Sequence, residues 1–324
     1  MNDEISQIIE EEVKTYTNTS YEYLDEVKIL IFGYLLQKIS YEIFVKDFIK
    51  LNDEYGIKLN KKQSKGLKNI TNKVIETNKT PIAINKTPFS KEELDNLLFK
   101  IDKTSQIKAN KRYTRVIKDY YKTTLKTVKK EYISTNDYLS KKLNKYDKVE
   151  KVIPYHRKDG TIRAYYDIAS YESMVYNTNL TSEAWNTTLR YCQENNTDIV
   201  YVEPHPFSCP LCQEWQGKFY SLTGKTLGYP SIEEAYEGGL KHPNCKHNIT
   251  TNVGQQETDE YSSNEWIERY NARQKKQALE LKRKRLKTDR DIYKRLNNYE
   301  EVDKINAKIR ALNSSIKEQK EIMG

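Results

Sequence analysis

The sequence predicts a mostly helical α+β protein. A small α+β domain, stapled through cysteine and histidine, stands between an N-terminal helical region and a long basic C-terminal helix or coiled coil. Three observations predict this. Both ends of the chain repeat apolar residues every three or four positions, the period of one helix face. Short β-rich runs, Ile199 to Glu203, Gly217 to Ser221 and His247 to Val253, gather in the middle of the chain. Among them stand Cys209-Pro-Leu-Cys212 and His242-Pro-Asn-Cys245-Lys-His247, with three of the four cysteines and two of the four histidines.

Composition sets the bounds. With 37% hydrophobic and 31% charged residues and a mean hydropathy of −0.88, the 324-residue chain is polar for a compact enzyme. Its 26 tyrosines are too many for a disordered one. Elongated helices on a modest core fit that balance. The net charge of +9 is unevenly placed: residues 1–55 carry 5 basic and 12 acidic side chains, 105–133 carry 9 and 2, and 266–324 carry 17 and 9. Such asymmetry suggests contacts with nucleic acid or with acidic faces of neighbouring subunits. The first residues have neither a basic nor an apolar leader segment. The most apolar run, Ile29 to Leu36, falls far short of the roughly 20 residues of a membrane span, so a soluble chain without a span is expected.

Residues 1–150 are expected to be helical. Over 3–55, Ile5, Ile8, Val13 and Tyr16, then Leu24, Val27, Ile31, Leu35, Ile39 and Ile43 recur at helical steps, with Asn18-Thr-Ser20 as a break or cap. Residues 56–90 read as looser, with Pro81 and Pro88 in a loop. Ser90-Lys-Glu-Glu93 is a capping box that starts a helix running to about Ile101. Over 105–133, Lys108, Lys111, Arg115, Lys118, Lys122, Lys126 and Lys129 step along one helix face, with Tyr113, Ile117, Leu125, Val128 and Tyr132 on another. Such a face is either solvated, its lysine stems covering apolar surface, or tracks phosphates with steep salt dependence.

Residues 151–257 form the α+β unit. A hairpin over 151–167 turns at Arg157-Lys-Asp-Gly160, and His156 at the strand end has no catalytic partner nearby. A helix follows over 168–195, burying Tyr171, Met174, Val175, Trp185 and Leu189, with Cys192 as a small core residue. Ser231-Ile-Glu-Glu234 caps a short helix between the second and third strands. From Glu265 there is no proline, and no glycine before the last residue. Leu279, Leu286 and Tyr293 step by seven, and Val302, Ile305, Ile309, Leu312 and Ile316 by three and four. Residues 264–324 are therefore expected as a coiled coil, an antiparallel hairpin or a helix laid on a partner, with a break at Asn297-Asn298. Lys282, Arg283, Lys284 and Arg285 open its densest basic run, a second candidate surface for nucleic acid or an acidic partner.

Zinc prefers tetrahedral sulfur and nitrogen donors, and Cys-x-x-Cys offers two thiolates from one tight turn. Cys245 with His247, or with His242, would complete a structural Zn2+ site, fastening a glycine-rich loop and adding folding energy. Unmetallated thiols and a redox dithiol are the alternatives, the latter without a thioredoxin-like context. No His-x-Glu accompanies the cysteines as deaminase chemistry requires. No HExxH, Walker A or GxGxxG occurs. No catalytic residue is assigned. The enzymatic alternative is a zinc-dependent nucleic-acid-processing or toxin-like enzyme using His205 and His242. A zinc-ribbon regulator would need a recognition helix after the knuckle.

The succession Tyr155-His-Arg-Lys-Asp-Gly-Thr161, Tyr171-Glu-Ser-Met-Val-Tyr-Asn-Thr178 and Asp198-Ile-Val-Tyr-Val-Glu-Pro-His205 resembles the tailed-phage minor capsid protein 2 family, related to the Mu F-like head morphogenesis proteins. The likeness continues through Cys209-Pro-Leu-Cys-Gln-Glu-Trp-Gln-Gly217-Lys-Phe-Tyr and His242-Pro-Asn-Cys-Lys-His247. It covers about residues 150–253 and extends more loosely to Trp266-Ile-Glu-Arg-Tyr-Asn-Ala-Arg-Gln. The resemblance implies a non-enzymatic virion protein, made in the host cytoplasm and present in multiple copies inside the head near the portal. There it would act in head assembly or in DNA packaging or ejection. Its implied partners are portal, capsid or scaffold subunits and packaged double-stranded DNA. Relatives with a Cys-x-Cys second pair imply that His247 replaces a cysteine, giving Cys209, Cys212, Cys245 and His247 as ligands. His242 then shapes the turn or stands as the alternative fourth ligand. The family often shows Arg-Thr where this chain has Asn177-Thr178, and Arg where it has Lys246; the lysine keeps the charge and the asparagine does not.

Overall fold

α1 (Glu4–Leu35) and α2 (Tyr41–Thr77) pair along their lengths. The computed structural model describes residues 4–35, 39–78, 90–105, 153–156, 161–242, 245–251, 256–260, 263–295 and 297–324. α1 runs unbroken through Asn18–Ser20, where a break was expected. The hydroxyls of Thr17, Thr19 and Ser20 donate back to the carbonyls of Val13, Thr15 and Tyr16 and so do not compete with the helix. Ser20 also donates to Glu172 at 2.7 Å. α2 starts afresh at Ser40, whose hydroxyl accepts the Ile43 N–H. That restart shifts the helical phase, so Phe44 and Phe48 turn inward and Ile43 is exposed. α2 also continues through 56–77, which the sequence reads as loose. Leu59, Ile70 and Val74 bury against α1, and Gly66 leaves room for the Tyr176 hydroxyl. α3 (Lys91–Ser105) begins with a reciprocal box: Ser90 N–H donates to Glu93 at 2.8 Å, and Glu93 N–H to the Ser90 hydroxyl at 3.2 Å.

β1 (Ile153–His156) and β2 (Ile162–Tyr166) pair antiparallel, Ile153 opposite Tyr166; the expected turn at 157–160 lies outside the described residues. Then comes α4 (Ile168–Glu194), whose 27 residues span about 40 Å at 1.5 Å per residue. Ala169 at its start joins the cluster of Tyr21, Phe44 and Phe48, and two further clusters form along its length. Tyr176, Leu180 and Ala184 bury with Ile5, Ile9 and Tyr16 of α1 and with the α2 residues above. Trp185, Leu189 and Cys192 bury with Leu94 and Leu97 of α3 and with the sheet. Cys192 is therefore a core residue, as its neighbours in sequence predict.

That sheet has β3 (Ile199–Val202) at its centre, fully buried, with β4 (Lys218–Ser221) on one side and β5 (Ile249–Thr250) on the other, both antiparallel. Buried Asp198 accepts from the Ser221 and Thr226 hydroxyls and the Thr223 N–H, pinning the chain after β4. α5 (Ile232–Glu237) follows, capped by Ser231. The chain is thus mostly helical with a small antiparallel sheet.

α6 (Asn264–Arg295) and α7 (Tyr299–Met323) form an antiparallel hairpin rather than one continuous helix. The break falls at Asn297, with φ 56°, and Asn298, which caps Glu301. Leu286 and Tyr293 meet Val302, Ile305 and Ile309, and Gly324 returns to the Arg269 guanidinium. α6 lies on the acidic helix: Leu281 packs against the Tyr21–Val27 cluster, Thr288 donates to Asp25 at 2.9 Å and Lys28 faces Asp289. Among the described residues no helix is long and apolar enough to cross a membrane.

Candidate metal centre

Two loops hang from the buried strand. Glu203 N–H donates to Asn248 O at 3.0 Å and Gly217 N–H to Val202 O at 2.8 Å, which closes the base of the 203–217 loop. Within it the Cys209 carbonyl accepts the N–H groups of Cys212 and Gln213, the tight turn expected of Cys-x-x-Cys. The His242 carbonyl accepts the Cys245 N–H in a second turn. Three successive carbonyls then anchor that second loop to the helices. Asn177 Nδ2 donates to Cys245 O (3.3 Å), Ser6 Oγ to Lys246 O (3.0 Å) and Trp185 Nε1 to His247 O (2.9 Å). Asn177 thus binds a backbone carbonyl, while Lys246 forms an ion pair with Glu10 at 2.5 Å.

The loops bring Cys209, Cys212, Cys245, His242 and His247 together. The ligand atoms of Cys209, Cys212 and His242 lie within 4.8 Å of one another, as do those of Cys212, Cys245 and His247. Cys209 Sγ is 3.0 Å from His242 Nε2, Cys212 Sγ is 3.7 Å from Cys245 Sγ, and Cys245 Sγ is 3.6 Å from His247 Nδ1. Adjacent thiols cannot all ionise. The Cys212 hydrogen bond, with help from His242 against the cost of burial, lowers Cys209 to about 4. The Cys212 hydrogen bond likewise holds Cys245 well below the usual thiol range, against the cost of burial. Cys212, between them, is pushed up and keeps its proton. Thiolate is the form a metal takes. Soft sulfur with imidazole nitrogen suits a zinc-type ion, whereas Mg2+ or Ca2+ would want oxygen donors. The residues present therefore fit such an ion.

Sequence reasoning gave no part to two residues behind this cluster. Gln216 is buried, and its Oε1 accepts His205 N–H and faces His247 Nε2, both at 2.9 Å. Glu10 of α1 faces His205 Nε2 (3.5 Å), Lys246 and Arg273 of α6. Burial works against ionising Glu10, but the His205 hydrogen bond and the two cations hold its carboxyl well below the usual range. Glu10 so joins α1, the cysteine loop and α6. The only signal in the sequence is one acidic residue among several in a helix; the pairing spans 263 positions. His205 Nδ1 accepts the Phe207 N–H at 3.0 Å, so the ring turns towards Glu10 rather than the cysteines.

The candidate cationic surfaces divide. Lys108, Lys111, Arg115, Lys118, Lys122 and Lys126 lie outside the described residues. In α6, Lys282 is exposed. Arg283 donates to Asn313 of α7, Lys284 lies 4.6 Å over the Tyr21 ring, and Arg285 pairs with Asp167, the cap of α4, at 2.5 Å. Part of the basic run thus meets partners within its own chain, Arg285 at the cap of α4 and Lys284 at the face of Tyr21 in the acidic N-terminal helix.

A family model described as phage minor capsid protein 2 matches residues 46–319. No curated protein and no solved structure matches the chain.

Proposed function

The chain belongs to the phage minor capsid protein 2 family and is a virion structural protein; from that premise we propose that it sits inside the head near the portal and assists head assembly and DNA packaging or ejection. The family match over most of the chain carries this reading, and a structural capsid role fits a chain without enzymatic activity. Proteolysis of purified particles before and after their DNA is released tests it. The expected result is protein protected in full particles. Its absence from particles, or digestion in intact ones, overturns the reading.

A structural Zn2+ belongs to the same proposal, held by Cys209, Cys212, Cys245 and one of His242 and His247. Bound there, the ion would tie the two loops at the end of β3 together and add its binding energy to folding. Metal analysis of the full chain, with Cys209→Ser and chelation, checks it: one equivalent and a clear loss of stability are expected, and unchanged stability rules the staple out.

The surface that faces packaged DNA or acidic neighbouring subunits includes α2. Residues 55–75 hold six lysines and no acidic residue. Lys61, Lys65 and Lys68 are exposed opposite buried Leu59, Gly66, Ile70 and Val74, and they form no ion pair among the described residues. Replacing all three by glutamine should reduce the dependence of log K on log salt for duplex DNA by about 2–3, at about 0.9 per phosphate. An unchanged slope excludes this face.

A further inference from the structure

The sequence leaves open which histidine joins the three cysteines, and side-chain chemistry behind the cluster decides it. A backbone N–H can only donate. The backbone N–H of His205 points at one terminal atom of the Gln216 amide, 2.9 Å away. That atom must be the oxygen, which settles the orientation of the amide. The same oxygen is 2.9 Å from His247 Nε2, so Nε2 carries the proton and donates to it. His247 is then left with its lone pair on Nδ1, the nitrogen 3.6 Å from Cys245 Sγ.

Distances separate the two histidines. A tetrahedral ion with bonds of about 2.3 Å to sulfur and about 2.0–2.1 Å to nitrogen sets two sulfurs about 3.7–3.8 Å apart and a sulfur and a nitrogen about 3.5–3.6 Å apart. Cys212 and Cys245 are 3.7 Å apart, and Cys245 and His247 Nδ1 are 3.6 Å apart. Both match edges of that tetrahedron. Cys209 and His242 Nε2, at 3.0 Å, stand well inside such an edge and at the distance of a direct N–H to sulfur hydrogen bond. His205 is committed elsewhere, since its Nδ1 accepts from Phe207 and its Nε2 faces Glu10.

We infer that His247 is the fourth ligand through Nδ1, that Gln216 is the positioning residue that fixes its tautomer, and that His242 donates a hydrogen bond to the Cys209 sulfur instead of binding the ion. This inference rests on the metal-binding reading above. A ligand imidazole whose other nitrogen is held by an acceptor is the usual outer support of a zinc site, and losing that support weakens binding about 10–100-fold.

The test uses the full-length chain loaded with Zn2+ and labelled with 15N-histidine. Long-range proton–nitrogen correlation should show His247 protonated at Nε2 with a metal-shifted Nδ1, and no metal shift at His242. Zn2+ affinity should fall about 10–100-fold in Gln216→Leu and stay near wild type in Gln216→Glu, which keeps the acceptor. His242→Ala should retain one equivalent of metal with an unchanged sulfur and nitrogen count by X-ray absorption. A metal-shifted His242, a His247 bound through Nε2, or full affinity in Gln216→Leu overturns this inference while leaving the zinc reading intact. A chain that takes up no Zn2+ overturns both.

Discussion

Replacing Trp185 by phenylalanine removes the one indole N–H that reaches the cysteine loop. Trp185 is completely buried, and its Nε1 donates to His247 O at 2.9 Å. Phenylalanine keeps an aromatic ring facing Tyr236 but offers no donor, so a buried carbonyl loses its partner at a cost of about 1–3 kcal/mol. The smaller ring also leaves unfilled space beside Leu189 and Ile249 in the same cluster. By the value of one or two buried methylene-sized groups, that adds about 1–2 kcal/mol. The expected loss is about 2–5 kcal/mol, a large part of the 5–15 kcal/mol that ordinarily separates folded from unfolded chains. Urea unfolding followed by far-ultraviolet circular dichroism measures it, with the midpoint falling and the slope unchanged. Because His247 is displaced with its carbonyl, Zn2+ affinity should fall as well. A stability loss below about 0.5 kcal/mol would refute the claim that this hydrogen bond and the fit of the indole anchor the loop.

Two further predictions follow from contacts the sequence does not display. Gly66→Ala should improve helix propensity by about 1 kcal/mol on an exposed helix, yet here it should destabilise, because the added methyl collides with the Tyr176 hydroxyl; the penalty should shrink in a Tyr176→Phe background, and additive effects in the double variant would refute the collision. For Glu10, the folded carboxyl is held below its unfolded value, so its contribution is present above the unfolded pKa of about 4.3 and lost as pH falls below it. With 35% of its side chain exposed, screening limits that contribution to about 1 kcal/mol. Compared in chelator, wild type and Glu10→Gln should differ most near neutral pH and converge towards pH 3, and a gap that widens in acid contradicts the assignment.

Much of the architecture was legible because local chemistry decides it. The Ser90 and Ser231 caps, the three short strands and the break at Asn297-Asn298 each depend on residues a few positions apart. Where the reading failed, a distant partner had overruled a local preference. Asn18–Ser20 reads as a break, but its hydroxyls are satisfied inside the helix and against Glu172 of α4. Residues 56–77 are lysine-rich and contain two glycines, yet Leu59, Ile70 and Val74 find an apolar face contributed by α1 and α4. Within the basic run at 282–285, Lys282 is exposed while Arg285 meets Asp167, 118 positions away.

The sequence by itself singled out the cysteines and histidines that the fold gathers, and it carried the motifs of the capsid family. It also determined that both ends would be helical, through apolar periodicity alone. Only the tertiary structure decided how the centre is held. Ser6, Asn177 and Trp185 come from two helices to three consecutive carbonyls, and Gln216 lies behind His247. Glu10 reaches across to Lys246 and Arg273. The physical reason is that a hydrogen bond or ion pair depends on separation in space, and burial beside α4 strengthens both by excluding water. Separation along the chain carries no trace of it.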